Sequence, residues 1–176
     1  MQDIQLFQEQ LRGNPALHAF FPAGNATGPV ILTRAPGRLD VMGGVADYSG
    51  ALVAQATIGE AALVGLTKRS DRRLSLWSLG IEREDFTPKV EIDLDSFKLG
   101  EGLIDYASAR DQLTGNRYAR WAAYIAGCFY VLMAEGIVTD FSQGANILLD
   151  SRVLLSKRRI TSVFSKQLTE TTCKIW

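Results

Sequence analysis

Val30-Ile31-Leu32-Thr33-Arg34-Ala35-Pro36-Gly37-Arg38-Leu39-Asp40-Val41-Met42-Gly43-Gly44-Val45-Ala46-Asp47-Tyr48-Ser49-Gly50 is the most informative stretch of this chain. The apolar run Val30-Ile31-Leu32 leads into Ala35-Pro36-Gly37, which predicts a strand over 30–35 that ends in a tight turn. Beyond that turn stand one fixed cation, Arg38, two carboxylates, Asp40 and Asp47, and the pair Gly43-Gly44. Glycines let backbone N–H groups approach a ligand because no Cβ stands in the way. Arg38 keeps its proton and offers a planar fork of donors suited to oxyanions. Asp47 is an acceptor for ligand hydroxyls. By composition alone the stretch also fits a glycine-rich hairpin with a surface Arg and Asp.

Outward from this stretch, the chain reads as one domain. Its 176 residues can bury a real core, and a hydrophobic content of 47% argues against disorder. Lys and Arg number 19, as do Asp and Glu, so net charge gives no case for nucleic acid or an anionic membrane as partner. Cys128 and Cys173 fit neither a disulfide framework nor a metal site, and Cys128 reads as a small core residue. His18 has no Cys or His at ligand spacing. Asn25-Ala26-Thr27 fits a glycosylation sequon, but the polar N-terminus is no signal peptide, so a cytoplasmic protein is expected.

Local pattern predicts an α+β fold. Ile4, Phe7 and Leu11 share a face of a helix over 3–12, which Asn14-Pro15 stops. Residues 24–29 read as a loop. Residues 51–58 and 61–67 read as two buried strands of a hairpin broken at Gly59-Glu60. Residues 68–73 (Lys-Arg-Ser-Asp-Arg-Arg) read as a solvated charged turn rather than a phosphate patch. Leu74, Leu76, Trp77, Ser78 and Leu79 suggest a strand. Val90, Ile92 and Leu94 alternate with charges over 89–95, as on a half-exposed strand that leaves Glu91, Asp93 and Asp95 on its solvated face. Residues 96–116 read as a loop with a short helical piece. Apolar residues from Trp121 to Met133 recur at helical steps over 117–135, with Gly136 as C-cap. That helix is too short and too interrupted by charge to span a membrane. Trp121 and Tyr124 read as packing residues rather than a nucleotide pocket. Residues 145–150 read as a strand entering a loop.

Pro36-Gly37-Arg38 and Asp47-Tyr48-Ser49-Gly50 stand in the order and spacing of the first motif of the GHMP small-molecule kinases. Residues 35–50 resemble the substrate-end motif of the galactokinase-like sugar kinases within that family. Gly44-Val45-Ala46 departs from it, since galactokinases carry Glu-His-Thr there, and resembles the variant of plant-type L-arabinokinases. The resemblance runs loosely to residue 153 and then fails. It implies a truncated N-terminal domain of the GHMP fold, with a ribosomal-protein-like βαβ core, over 29–153. A helix and loop over 1–28 precede it and a divergent tail over 154–176 follows.

The resemblance also implies a chemistry: transfer of the ATP γ-phosphoryl group to the anomeric hydroxyl of a small-molecule sugar, with Mg²⁺ bridging the phosphates. Arg38 matches the residue beside the attacking hydroxyl. Arg38, Asp40, Gly43, Gly44, Asp47 and Tyr48 are the implied substrate-binding set, with no metal ligand among them. The family's glycine-rich phosphate loop follows the strand matching 146–151, and here that position lacks it: residues 154–176 contain no glycine. The second Asp that galactokinases use at the anomeric hydroxyl has no counterpart either. A change of reading frame near Val153 is the expected origin of the break, since the Arg158-Arg159-Ile160 triplet encoded as AGG-CGT-ATC, read one base later, would give Gly-Val-Ser; natural divergence or a shortened isoform is the alternative. A chain ending so is expected to be inactive alone and to expose apolar surface for self-association. A non-catalytic sugar-binding or assembly module is the alternative.

Overall fold

The computed structural model describes residues 2–23, 26–43, 49–81 and 86–151. The tail from 154, with its frame change and basic Lys157-Arg158-Arg159, lies outside them, as do Asn25 of the sequon and Cys173.

Two helices open the chain. Helix α1, Gln2–Gly13, buries Phe7 and packs Ile4 and Leu11 inward, as its spacing predicts. Asn14-Pro15 ends it and at once begins a second, unforeseen helix, α2, Pro15–Phe20. Asn14 caps α2 by accepting from the Ala16 N–H at 3.0 Å, and proline suits a first helical position, where no N–H is needed.

The next segment corrects two expectations. No turn interrupts Ala35-Pro36-Gly37: strand β1 runs from Thr27 to Met42. No hairpin breaks at Gly59-Glu60 either, because β2 is one strand, Ala54–Lys68. These punctuating residues face each other across a bulge. Pro36 pairs with Ala61 and Arg38 with Thr57, so the single residue Gly37 of β1 spans Ile58, Gly59 and Glu60 of β2. Proline tolerates such a site because no ladder bond needs its nitrogen. A Cβ on Gly37 would lie 2.9 Å from the Ile58 side chain, which explains the glycine. The actual hairpin joins β1 to β2 through 43–53. Only the proximal half of β2, 61–67, is buried on both sides; the distal half is largely exposed.

Strands β3, Arg73–Leu79, and β4, Lys89–Asp93, follow as an antiparallel pair, with β4 half-exposed as its alternation predicts. Leu94–Phe97 then turns as a 3₁₀ helix capped by Asp93, so the strand ends before Leu94. Residues 96–116 hold more than the expected loop: a small hairpin of β5, Lys98–Leu99, with β6, Gly102–Leu103, and helix α3, Tyr106–Thr114. The helix expected over 117–135 starts late. Asn116 accepts from the Tyr118 N–H at 3.0 Å, a local turn that competes with helix, and a 3₁₀ turn at Arg120–Ala122 precedes α4, Ala123–Ala134. Gly136 closes it at φ +67°, as expected. Strand β7, Ala145–Ser151, completes a five-stranded sheet in the order β1-β2-β7-β3-β4. β3 and β7 are parallel and every other neighbour is antiparallel, so the fold is a mixed α/β sheet.

Both faces of this sheet are covered. Val64, Leu66, Leu74, Leu76, Ile147 and Leu149 pack with α3 and α4 on one face. Leu63, Leu148, Trp77 and Leu79, offset by one residue in their strands, pack with α1 and α2 on the other. Cys128 is buried in the first layer, as expected of a core thiol. Trp121 is also core, its Nε1–H donating to the Thr87 carbonyl at 2.8 Å.

The charged segment 68–73 is only in part the solvated turn its composition suggests: Ser70 and Arg73 are exposed, but Arg69 and Arg72 turn inward. Arg69 is 6% exposed and donates to Asn146 Oδ1 at 2.7 Å and to both Asp71 oxygens at 2.6 Å. Arg72 is held by Asp95, by Asp140 and by the Phe141 carbonyl. These guanidiniums draw the segment inward because the β7 entry offers them acceptors. No backbone space is left nearby: a Cβ on Gly144 would collide with the Arg73 main chain.

Candidate functional site

Beyond the bulge, β1 and β2 continue as a two-stranded arm. Side chains two apart on a strand share a face, so Arg38 and Asp40 project together, with Thr57 and Gln55 as their cross-strand neighbours. Arg38 Nε lies 3.4 Å from Asp40 Oδ1, and the two side chains are 37% and 38% exposed. An exposed pair this loose contributes little to stability, so both groups can exchange their mutual contact for a ligand. Gly43, at φ +82°, ends the arm in the left-handed conformation that glycine adopts without strain, and Gly50 at φ +73° lies across the connection. Gly44, Asp47 and Tyr48 lie outside the described residues. Of the six candidate residues, then, Arg38 and Asp40 sit on one face, Gly43 follows directly after the strand, and three are not placed.

The opposite face of the arm carries Leu39 and Ala56. Leu39, Val41, Met42 and Leu52 are 55%, 64%, 65% and 98% exposed, which makes this the most apolar exposed region beside the candidate residues.

Two residues that organise this half of the molecule were not picked out from sequence. Arg34 donates from Nε to Asp3 of α1 at 2.5 Å and from Nη2 to the Gly59 carbonyl of the bulge at 2.8 Å. The hydrogen bond from Arg34 holds the Asp3 carboxyl below the usual carboxylate range. Asn146 is fully buried and donates to the Phe21 and Ala23 carbonyls at 3.0 and 2.8 Å. A lone amide in an otherwise apolar strand was the available signal, since buried amides need partners.

Among the described residues no group of three His, Cys, Asp or Glu side chains could hold a metal ion. Glu91, Asp93 and Asp95 stand on exposed positions of β4 and its 3₁₀ extension, where Asp93 caps the turn and Asp95 pairs with Arg72. His18 is exposed on α2. The described residues thus offer no three-ligand cluster for a metal ion, and the sequence after β7 contains no glycine for a phosphate-cradling loop.

No protein-family model matches the chain. L-arabinokinase of Arabidopsis thaliana is 35% identical over 145 residues, covering 70% of this chain and 14% of the arabinokinase. Galactokinase of Actinobacillus succinogenes is 23% identical over 155 residues, covering 88% of this chain and 31% of the galactokinase. The chain is a partial homologue of sugar kinases. Among solved structures, Lactococcus lactis galactokinase complexed with galactose superposes with a TM-score of 0.60 at 18% identity, covering 96% of this chain and 36% of that one. Methanococcus jannaschii mevalonate kinase gives a TM-score of 0.53 at 14% identity, covering 84% and 39%. The fold is that of the N-terminal domain of the GHMP kinases, as residues 35–50 implied. The chain spans less than a third of the curated relatives it matches. Among the described residues no helix is long and apolar enough to cross a membrane.

Proposed function

We propose that this chain is the sugar-facing N-terminal piece of an ATP-dependent sugar-1-kinase for L-arabinose or galactose, and that it does not phosphorylate sugar by itself. The observation that supports this most is the kinship to L-arabinokinase together with an exposed Arg38–Asp40 face on the arm that leads into 43–50. In this function Arg38 sets a fixed positive charge beside the sugar hydroxyl that would react, and the carboxylates Asp40 and Asp47 accept hydrogen bonds from ring hydroxyls. Gly43 and Gly44 let the backbone close on the sugar, and Tyr48 flanks it. ATP and Mg²⁺ belong to the complete enzyme. The kinase part occupies 29–153 behind the helices and loop of 1–28, the tail from 154 derives from a shifted frame, and the protein is cytoplasmic.

The test is a titration of the chain with L-arabinose and with galactose, read at the amides of 38–42 and 54–57, beside a coupled assay for ATP turnover. Localised, saturable shifts without turnover are the expected result. Turnover abolished by Arg38→Ala overturns the inactivity. No response to either sugar removes the sugar-binding role. The frame change is tested separately on genomic DNA: an uninterrupted frame with no kinase-like sequence downstream excludes it.

The glycine-free tail favours a second function, a non-catalytic sugar-binding or assembly module. The exposed Leu39, Val41, Met42 and Leu52 give such a module an association surface. Light scattering checks this, and a monomer at all concentrations rules out self-association.

A further inference from the structure

Where β1 begins, at the end of the sheet away from Arg38, a cavity of about 390 Å³ opens between the two N-terminal helices and the ribbon of β1 and β2. That volume is ample for a small organic molecule. Leu11, Phe21 and Val30 give it an apolar lining, Thr67 adds a hydroxyl, and Arg12 and His18 are both basic. No described lining residue carries a carboxylate.

Its wall is fixed from behind. Asn146 holds the Phe21 and Ala23 carbonyls, and Arg69 in turn holds Asn146 Oδ1. A buried polar network is costly unless every member is paired, and here its paired groups lock the backbone that forms one side of the cavity. Gly65 makes room for the Phe21 ring: a Cβ there would lie 2.9 Å from Phe21 Cζ. The cavity thus has a rigid aromatic side, and its Arg12 and His18 side chains both offer nitrogen donors.

We propose that this cavity is a second ligand site, for a small organic oxyanion, carboxylate or phosphate, carried on a compact apolar body. Arg12 presents its donor fork and His18 a ring N–H to the oxyanion, while Leu11, Phe21 and Val30 give the body an apolar surface to pack on. Val30 lies eight residues before Arg38 on the same strand, a separation of roughly 25 Å. A ligand here does not touch the sugar-facing side chains, and the site stands or falls independently of sugar binding.

The experiment titrates isotope-labelled chain with benzoate and with phenyl phosphate, using benzyl alcohol and benzylammonium as neutral and cationic counterparts. Saturable amide shifts confined to 11–12, 18, 21, 28, 30 and 67 are expected for at least one anion, and the stronger of the two identifies the oxyanion. Arg12→Gln and His18→Gln are each expected to weaken binding about threefold to tenfold, the loss of one charge-assisted contact. Val30→Phe, which fills the cavity, abolishes it, with α4 amides reporting that the fold is intact. An equal response to benzyl alcohol, a response that survives the double Arg12→Gln/His18→Gln change, or binding retained in Val30→Phe overturns the proposal. The titration of the unaltered chain decides even if a variant fails to fold.

Discussion

Arg34 of β1 meets Asp3 of α1 at 2.5 Å, and its guanidinium also reaches the Gly59 carbonyl at 2.8 Å. One side chain therefore ties the N-terminal helix to the bulge from which the arm departs. Its neighbours restrict the same point, since Gly37 has no room for a Cβ beside Ile58 and Glu60. The angle of the arm, and with it the direction of Arg38 and Asp40, is set at this junction.

Replacing Arg34 by Met is expected to loosen the arm before the core. Amide exchange at 38–42 and 54–57 accelerates, while β7 and α4 keep their protection. Asp3→Asn, which leaves the bond to Gly59, gives a smaller effect. Uniform acceleration through β7 and α4 would show that Arg34 supports global stability rather than the arm.

Asn146→Ala removes one acceptor of Arg69, leaving Asp71, and the donor to two main-chain carbonyls. Leaving those buried groups unpaired is expected to destabilise the fold by about 2–3 kcal/mol, measured by urea unfolding. A loss within about 0.5 kcal/mol, the range of an exposed control such as Glu101→Ala, contradicts this account.

Acid is expected to weaken the fold through Asp140 and Asp71. Burial opposes the charge of Asp140, but hydrogen bonds from Arg72 and Lys98 together outweigh it and keep its carboxyl below the usual range. The hydrogen bond from Arg69 does the same for Asp71. A carboxyl whose folded value is lowered binds its proton more weakly in the folded state than in the unfolded state. Its stabilisation is complete above the unfolded value, near pH 4, and fades as pH falls further through the folded value. Melting temperature measured against pH is expected to drop in that window and to drop less in Asp140→Asn. Both carboxylates are partly exposed, so salt is expected to shrink the difference. An identical acid limb in the variant argues against the ion-pair origin.

What was legible in the sequence followed from periodicity. The helix at Ile4-Phe7-Leu11, the alternating strand at 89–93 and the apolar strand at 145–151 are each one local pattern repeated. Pro36-Gly37 and Gly59-Glu60 misled because glycine and proline mark a bulge and a turn with the same letters, and only the pairing of Pro36 with Ala61 tells them apart. Arg69 misled differently: Asp71 neutralises it from within the same segment, but Asn146, the acceptor that anchors it in the interior, is 77 positions away and invisible to local composition. Arg38 and Asp40 share a face only because β1 runs on to Met42, past the turn predicted at Pro36-Gly37, whereas Gly44, Asp47 and Tyr48 rest on the motif alone.

The last prediction concerns the choice of sugar and rests on the proposed kinase role. Galactokinases place a Glu at the position of Gly44, where it reaches the exocyclic C6 hydroxyl of galactose. Gly44 has no side chain to make that bond, and a pentose such as L-arabinose has no C6 group to leave unpaired. A buried, unpaired hydroxyl costs on the order of 1–3 kcal/mol, about tenfold to a hundredfold in affinity. With the kinase frame restored after Val153, L-arabinose is therefore expected to exceed galactose in kcat/KM, and Gly44→Glu is expected to narrow the gap. Arg38→Ala in the same background is expected to remove turnover of both sugars, since it deletes the fixed charge beside the reacting hydroxyl. Galactose preferred by about tenfold or more in the restored enzyme would mean that another side chain serves C6 and that Gly44 does not select the sugar.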